Sequence, residues 1–244
     1  VNDAPTSTDN TVTTDEDVTY TFTAVDFNFS DVDGDELASV TITTLPGAGT
    51  LELNGSAVSV NDEISKTDID AGLLKLIPVT DANGTPYGSF EFVVNDGTID
   101  AASASTMTID VTAVNDAPTS SDNTVTTDED TTYTFLVTDF AISDVEGDAL
   151  ASVTITTLPG AGSLELNGSA VSVDDVISVD DITNGLLTFV PTLNENGTGY
   201  ASFDFVINDG TDDAVSANTM TVDVTAVNDA PTSTDNTVTT DEDV

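Results

Sequence analysis

The sequence contains no cysteine and no histidine. Their absence removes zinc sites of the usual kind, thiol chemistry, and any Ser-His-Asp or Cys-His arrangement. It also removes disulfides, so a secreted domain of this kind needs another staple. Basic residues are nearly missing: Lys66 and Lys75 stand against 45 Asp and Glu, a net charge of −43. A surface this negative repels nucleic acid and anionic membranes, which excludes both as partners. No apolar run approaches a transmembrane span and no signal peptide is present, so membrane insertion is not expected of this segment. High net charge with few aromatics can mark a disordered chain, but an apolar content of 38% in clear alternation argues for a folded one.

What is present is repetition. Val1-Asn2-Asp3-Ala4-Pro5-Thr6 returns at Val114 and at Val227, a spacing of 113 residues each time. An acidic run follows each copy: Thr14 to Asp17, Thr127 to Asp130, and Thr240 to Asp243. A fixed period of this size means an array of domains. The expected organisation is one repeat over 1–113, a second over 114–226, and over 227–244 the linker and first strand of a third, cut from a longer array. The proline of each copy blocks strand pairing, which makes the stretch a boundary, and the Asn-Asp pair beside it offers oxygen ligands.

Within the first repeat, a strand is expected around Asn10 to Thr13, then an acidic turn over Thr14 to Asp17. From Val18 the chain alternates, with Tyr20, Phe22 and Ala24 inward and threonines on the wet face. Asp26 to Asp35 reads as a long loop. Val40 and Ile42 mark the next strand, and Asn54-Gly55 marks a two-residue hairpin, because both positions tolerate positive φ. Residues 61–72 read as irregular with room for a helical turn, 73–78 as a short strand and 81–88 as a loop. Strands with Phe90, Phe92 and Val94, then Met107, Ile109 and Val111, on their core faces complete the repeat. Seven or eight strands at this spacing, with turn signals between them, predict an all-β sandwich.

The acidic segments carry the chemistry. In a sandwich whose strands alternate in direction, the Asp15-Glu16-Asp17 turn falls where the last strand leaves, and the Asp31–Asp35 loop and Asp96 turn fall where the linker arrives. The boundary at residue 114 is therefore expected to gather Asp15, Glu16, Asp17, Asn115, Asp116, Asp139, Asp144, Glu146, Asp148 and Asp209. The equivalent candidates elsewhere are Asn2, Asp3, Asp26, Asp31, Asp33, Asp35 and Asp96, and Asp128, Glu129 and Asp130 with Asn228 and Asp229. Hard oxygen ligands in this number, with neither His nor Cys, suit calcium over transition metals. Asp31-Val32-Asp33-Gly34-Asp35 is no EF-hand, since its glycine comes too early and Ile42 stands where the bidentate glutamate belongs. The bland alternative is a set of solvated turns, for which Asp, Asn and Gly are common residues.

Taken together and in order, Thr-Asp-Glu-Asp, Asp-Val-Asp-Gly-Asp, Ser-Val-Thr-Ile-Thr-Thr-Leu-Pro, Asn-Asp-Gly-Thr and Val-Asn-Asp-Ala-Pro-Thr resemble bacterial cadherin-like repeats. Such repeats fill the extender regions of large adhesins of the RTX type, exported by type I secretion. The resemblance implies tandem Ig-like or cadherin-like sandwiches that bind calcium at domain joints. It also implies an extracellular, cell-surface place and a role in adhesion or biofilm formation. The expected function is that of a monomeric spacer whose partners are neighbouring repeats of the same chain. An alternative is a module that itself binds sugar or protein. The sequence has no Trp, which leaves Tyr87 and Tyr200 as the aromatics for such a site. A glycosidase built on a carboxylate pair finds no groove signal, and no enzyme is expected.

Overall fold

A computed structural model describes residues 1–242; Asp243 and Val244 lie outside the described residues. The chain divides into two compact units, Val1–Val114 and Asn115–Val244. In the first, β1 (Asn10–Asp15), β2 (Tyr20–Thr21), β3 (Ser39–Ile42), β4 (Thr50–Leu53) and β5 (Ser56–Ala57) are followed by β6 (Glu63–Ser65) and a five-residue helix, α1 (Lys66–Asp70). Then come β7 (Leu74–Ile77), β8 (Gly84–Asn95) and β9 (Ser105–Thr112). One sheet has the order β1-β9-β8-β3-β6 and the other β2-β7-β4-β5. The second unit repeats both sheets with the same order. Of nine strands per unit, two have only two residues, which leaves seven longer ones.

The pairing that decides where functional groups fall is that of β1 with β9. It is parallel, matching Asn10 with Met107 and Asp15 with Thr112, whereas every other pair in the unit is antiparallel. The first and last strands therefore run the same way, and the turn after β1 sits beside the departing linker. The second unit pairs Asn123–Asp128 with Asn218–Thr225 in the same manner.

Alternation builds the core as expected, with Val40, Ile42, Phe90, Phe92, Val94, Met107, Ile109 and Val111 all buried. At the Asn54-Gly55 hairpin both residues adopt positive φ, 50° and 77°. Several expectations need correction. The segment 61–72 does hold the expected helical turn, α1, which Ser65 caps by accepting from the Asp68 amide at 3.1 Å, but it also forms the strand β6 where irregular chain was expected. β8 starts at Gly84, inside the expected loop, and its register shifts between Gly84 and Gly88, so a bulge hides the strand from a period-2 reading. The strand from Val18 shrinks to Tyr20–Thr21, because residues Ala24–Phe27 turn into a 3-10 helix. That turn carries Phe27, placed in a loop by the sequence, into full burial. There it meets Phe92 edge-on, with centroids 5.0 Å apart. Phe140 does the same against Phe205.

The first strand expected for a third repeat does not form, and residues 226–242 contain no strand. In each complete repeat the equivalent strand pairs with the last strand of the same repeat.

Two predictions follow from this packing. Phe27→Ala or Phe140→Ala should each destabilise its own repeat by about 3–5 kcal/mol, read from urea denaturation. Burial and the Asp26 carboxylate raise the Tyr20 phenol to about 12, and burial and Asp139 do the same for Tyr133. The folded state thus keeps a proton that the unfolded chain gives up near pH 10. The stabilisation should be complete below pH 10 and be lost as pH rises from 10 to 12, with both phenols ionising late in an ultraviolet titration.

Candidate functional site

At the incoming end of the first unit, the linker is stitched to two acidic loops. The Asp3 amide donates to Asp33 Oδ2 at 2.6 Å, and Asn2 Nδ2 donates to Asp96 Oδ2 at 2.8 Å. Asp31 Oδ1 accepts from the amides of Asp33 (2.8 Å) and Asp35 (3.2 Å), which curls the loop around its own carboxylate. Carboxylate oxygens of Asp31, Asp33 and Asp35 lie within 4.8 Å of one another. Asp31 Oδ2 is buried with no hydrogen-bond donor. The Asn2 amide, helped by the backbone N–H groups of Ile99 and Thr98, holds the Asp96 carboxyl below its ordinary range.

The second unit builds a related arrangement with altered parts, in which Asp144, Glu146 and Asp148 do not form a triad of that spacing. The Asp116 amide donates to Glu146 Oε2 at 3.1 Å, so the longer side chain takes the bond made by Asp33 in the first unit. Asp148 N–H donates to Asp144 Oδ1 at 2.8 Å. Asn115 Nδ2 reaches both Asp209 Oδ2 (3.1 Å) and Asp212 Oδ2 (2.9 Å). Asp144 Oδ2 and Glu146 Oε1 are buried without donors. The backbone amides of Asp212 and Thr211, with Asn115, lower the Asp209 carboxyl. Asp212 escaped the sequence reading because its counterpart in the first repeat is Ile99.

At the outgoing end of each unit the carboxylates are already engaged. Asp15 accepts from the Thr112 hydroxyl and Asp128 from Thr225. Asp17 accepts from the Asp81 amide at 3.3 Å, and Asp130 from Asn194 at 2.8 Å. Glu16 accepts from the Val114 amide at 2.6 Å and from Asn83 Nδ2 at 3.2 Å. Glu129 does likewise with Val227 (2.6 Å) and Asn196 (2.8 Å). Asn83 and Asn196 are not among the expected site residues, although Asn-Gly-Thr persists at both positions in a segment where the repeats otherwise diverge.

Asp26 and Asp139 are directed elsewhere. Asp26 accepts from Thr23 N–H (2.7 Å) and Oγ1 (2.9 Å), and Asp139 from Leu136 N–H (2.8 Å) and the Tyr133 hydroxyl (3.0 Å). Each secures a 3-10 turn rather than joining the acidic loop. Asn228 and Asp229 are exposed, with the Asn228 amide bonded to the Asp229 carbonyl at 3.1 Å and no acidic loop gathered around them among the described residues. Tyr87 and Tyr200 pack half-buried on the cores, and their hydroxyls accept from the amides of Val79 (2.8 Å) and Thr192 (3.2 Å). Both rings are thereby tied to their own loops.

Among the described residues, no protein cation forms an ion pair with these carboxylates. Among the described residues the ion pair is Lys66 with Asp70, at 2.5 Å on α1. Buried anionic oxygens without donors are costly, and a set of oxygen-only ligands around them fits a hard divalent cation such as calcium. Among the described residues, no helix is long and apolar enough to cross a membrane.

The family model for the bacterial Ig domain matches twice, over residues 2–112 and 115–225. No curated protein matches the chain. Among solved structures, the chain is similar to human protocadherin-24 EC1-2, at 14% identity and a TM-score of 0.54, covering 91% of this chain and 95% of that one. Drosophila N-cadherin EC1-4 matches at 16% identity and a TM-score of 0.47, over 93% of this chain and 50% of that one. An endo-fucoidan hydrolase of glycoside hydrolase family 107 matches at 22% identity and a TM-score of 0.31 over 92% of this chain. The chain spans 29% of that hydrolase's length. Matched over both of its repeats, the chain belongs to the bacterial Ig domain family, as two tandem all-β sandwich domains of cadherin-like fold.

Proposed function

We propose that these repeats are a calcium-stiffened spacer from the extender region of a secreted bacterial surface adhesin of the RTX type. In this reading the spacer projects a distant binding domain away from the cell, for adhesion and biofilm formation. It works as a monomer, through neighbouring repeats of its own chain, and performs no catalysis. The observation that carries the reading is the Asp31-Asp33-Asp35 triad, with oxygens within 4.8 Å of one another and the buried Asp31 Oδ2 lacking a donor. Unit charges at that separation repel by roughly 1 kcal/mol per pair even at the dielectric of water, and by more where they are partly buried. A bound calcium would add an attraction to each carboxylate that outweighs this repulsion.

Asp31, Asp33 and Asp35, with Asn2, Asp3 and Asp96 beside them, would hold the ion in the first repeat. Asp144, Glu146 and Asp148, with Asn115, Asp116, Asp209 and Asp212, would hold it in the second. The linker supports the mechanical part of the proposal. Its Asn-Asp pair is bonded into the acidic loops by both a side-chain amide and a backbone amide, so an ion held there would restrain the linker as well as the loop.

An ion that binds only the folded state at a hundred times its dissociation constant adds about 2.7 kcal/mol per site. The melting temperature should therefore rise by several degrees between excess chelator and millimolar calcium, and less in magnesium, which prefers a tighter octahedral cage. X-ray scattering of the same samples should show a narrower distance distribution in calcium. Identical melting curves and scattering in calcium and chelator would remove the basis for the proposal.

A further inference from the structure

Two carboxylates differ from all the others in this acidic protein. Among the described residues, Glu16 and Glu129 are the acidic ones buried as whole residues, 3% and 6% exposed. A buried anion is costly unless hydrogen bonds compensate it, so a pair at matched positions calls for an explanation in its surroundings. Each is served by two neutral donors from different segments. Oε1 receives the amide of the first linker residue, Val114 or Val227, at 2.6 Å in both units. Oε2 receives the side-chain amide of Asn83 or Asn196, from the loop that leads into the long bulged strand. The glutamate's own amide donates to the last residue of the final strand, Thr112 (2.9 Å) or Thr225 (2.8 Å). The side chain thus ties three segments together: the turn after the first strand, the loop before the long strand, and the departing linker.

We propose that Glu16 and Glu129 are positioning residues that grip the first backbone amide of the outgoing linker without any metal ion. Val227 separates this role from that of a joint ligand. Residues 228–242 are exposed and form no strand, and no acidic loop of a following repeat is gathered there among the described residues. Yet Glu129 holds the Val227 amide at the same 2.6 Å as Glu16 holds that of Val114. The grip is therefore a property of the repeat that ends, not of the one that begins. Charge-assisted bonds of this length are roughly twice as strong as neutral ones, which accounts for glutamate at this position. The consequence is a linker held to its own repeat at its first residue. Val114 is followed at once by Asn115, the first residue of the next repeat's candidate ligand pair.

Amide hydrogen exchange on the full chain in excess chelator tests the assignment. The Val114 and Val227 amides should exchange about tenfold or more slowly compared with an unstructured peptide. Glu16→Ala should release Val114 alone and Glu129→Ala should release Val227 alone, with exchange at Ile109 and Val222 unchanged. Glu16→Gln, which keeps an acceptor oxygen, should retain part of the protection. If the wild-type chain shows both valine amides at the free-peptide rate in chelator and slowed only by calcium, the glutamates are metal ligands and the proposal is overturned. That result would leave the spacer reading standing. Protected amides in a chain indifferent to calcium would sustain the grip and sink the spacer. Should an alanine variant fail to fold, the wild-type measurement in chelator decides by itself.

Discussion

Repulsion among carboxylates at the ends of each repeat is the constraint on which the rest of this structure depends. With 45 acidic residues and two lysines, the chain cannot neutralise its loops from within. It uses neutral donors instead. Backbone amides serve Asp31, Asp96, Asp144 and Asp209, and side-chain amides of Asn2, Asn83, Asn115 and Asn196 reach across from other segments. Such bonds stabilise single anions but leave the repulsion between anions in place. The oxygens that remain buried without donors, on Asp31, Asp144 and Glu146, lie in the loops that the linker enters.

The parallel pairing of the first and last strands turns this local chemistry into a property of an array. Because the two strands run together, each repeat receives its linker among one set of acidic loops and releases it beside another. The two ends are not equivalent. At the incoming end, carboxylates outnumber their donors, which suits an ion. At the outgoing end, Asp15, Glu16 and Asp17 already have partners within their own unit. In the proposed spacer, protein bonds would set one end and a bound ion the other.

Much of the sandwich was legible in the sequence because period-2 alternation survives in the central strands. Val40, Ile42, Phe90, Phe92 and Ile109 all point where alternation puts them. It failed where the backbone leaves the strand conformation. Phe27 enters the core from a 3-10 turn, and the bulge after Gly84 breaks the period at the start of the longest strand. The clustering of Asn2, Asp3, Asp33 and Asp96 could be read from strand direction. The capping role of Asp26 could not, because it depends on a turn that the alternation concealed. The acidic runs showed that Glu16 is a residue of interest, but only burial and the Val114 contact distinguish it from its neighbours.

The account stands most directly on whether the incoming-end loops bind calcium. Calorimetric titration of the 244-residue chain measures this without reference to shape or stability. Binding should appear with dissociation constants of about 10⁻⁴–10⁻³ M or tighter, the range of extracellular modules. Asp33→Asn combined with Asp35→Asn should abolish the first repeat's share of that binding while leaving the second repeat's intact. An absence of binding at millimolar calcium, or binding unchanged in the double variant, would contradict the account.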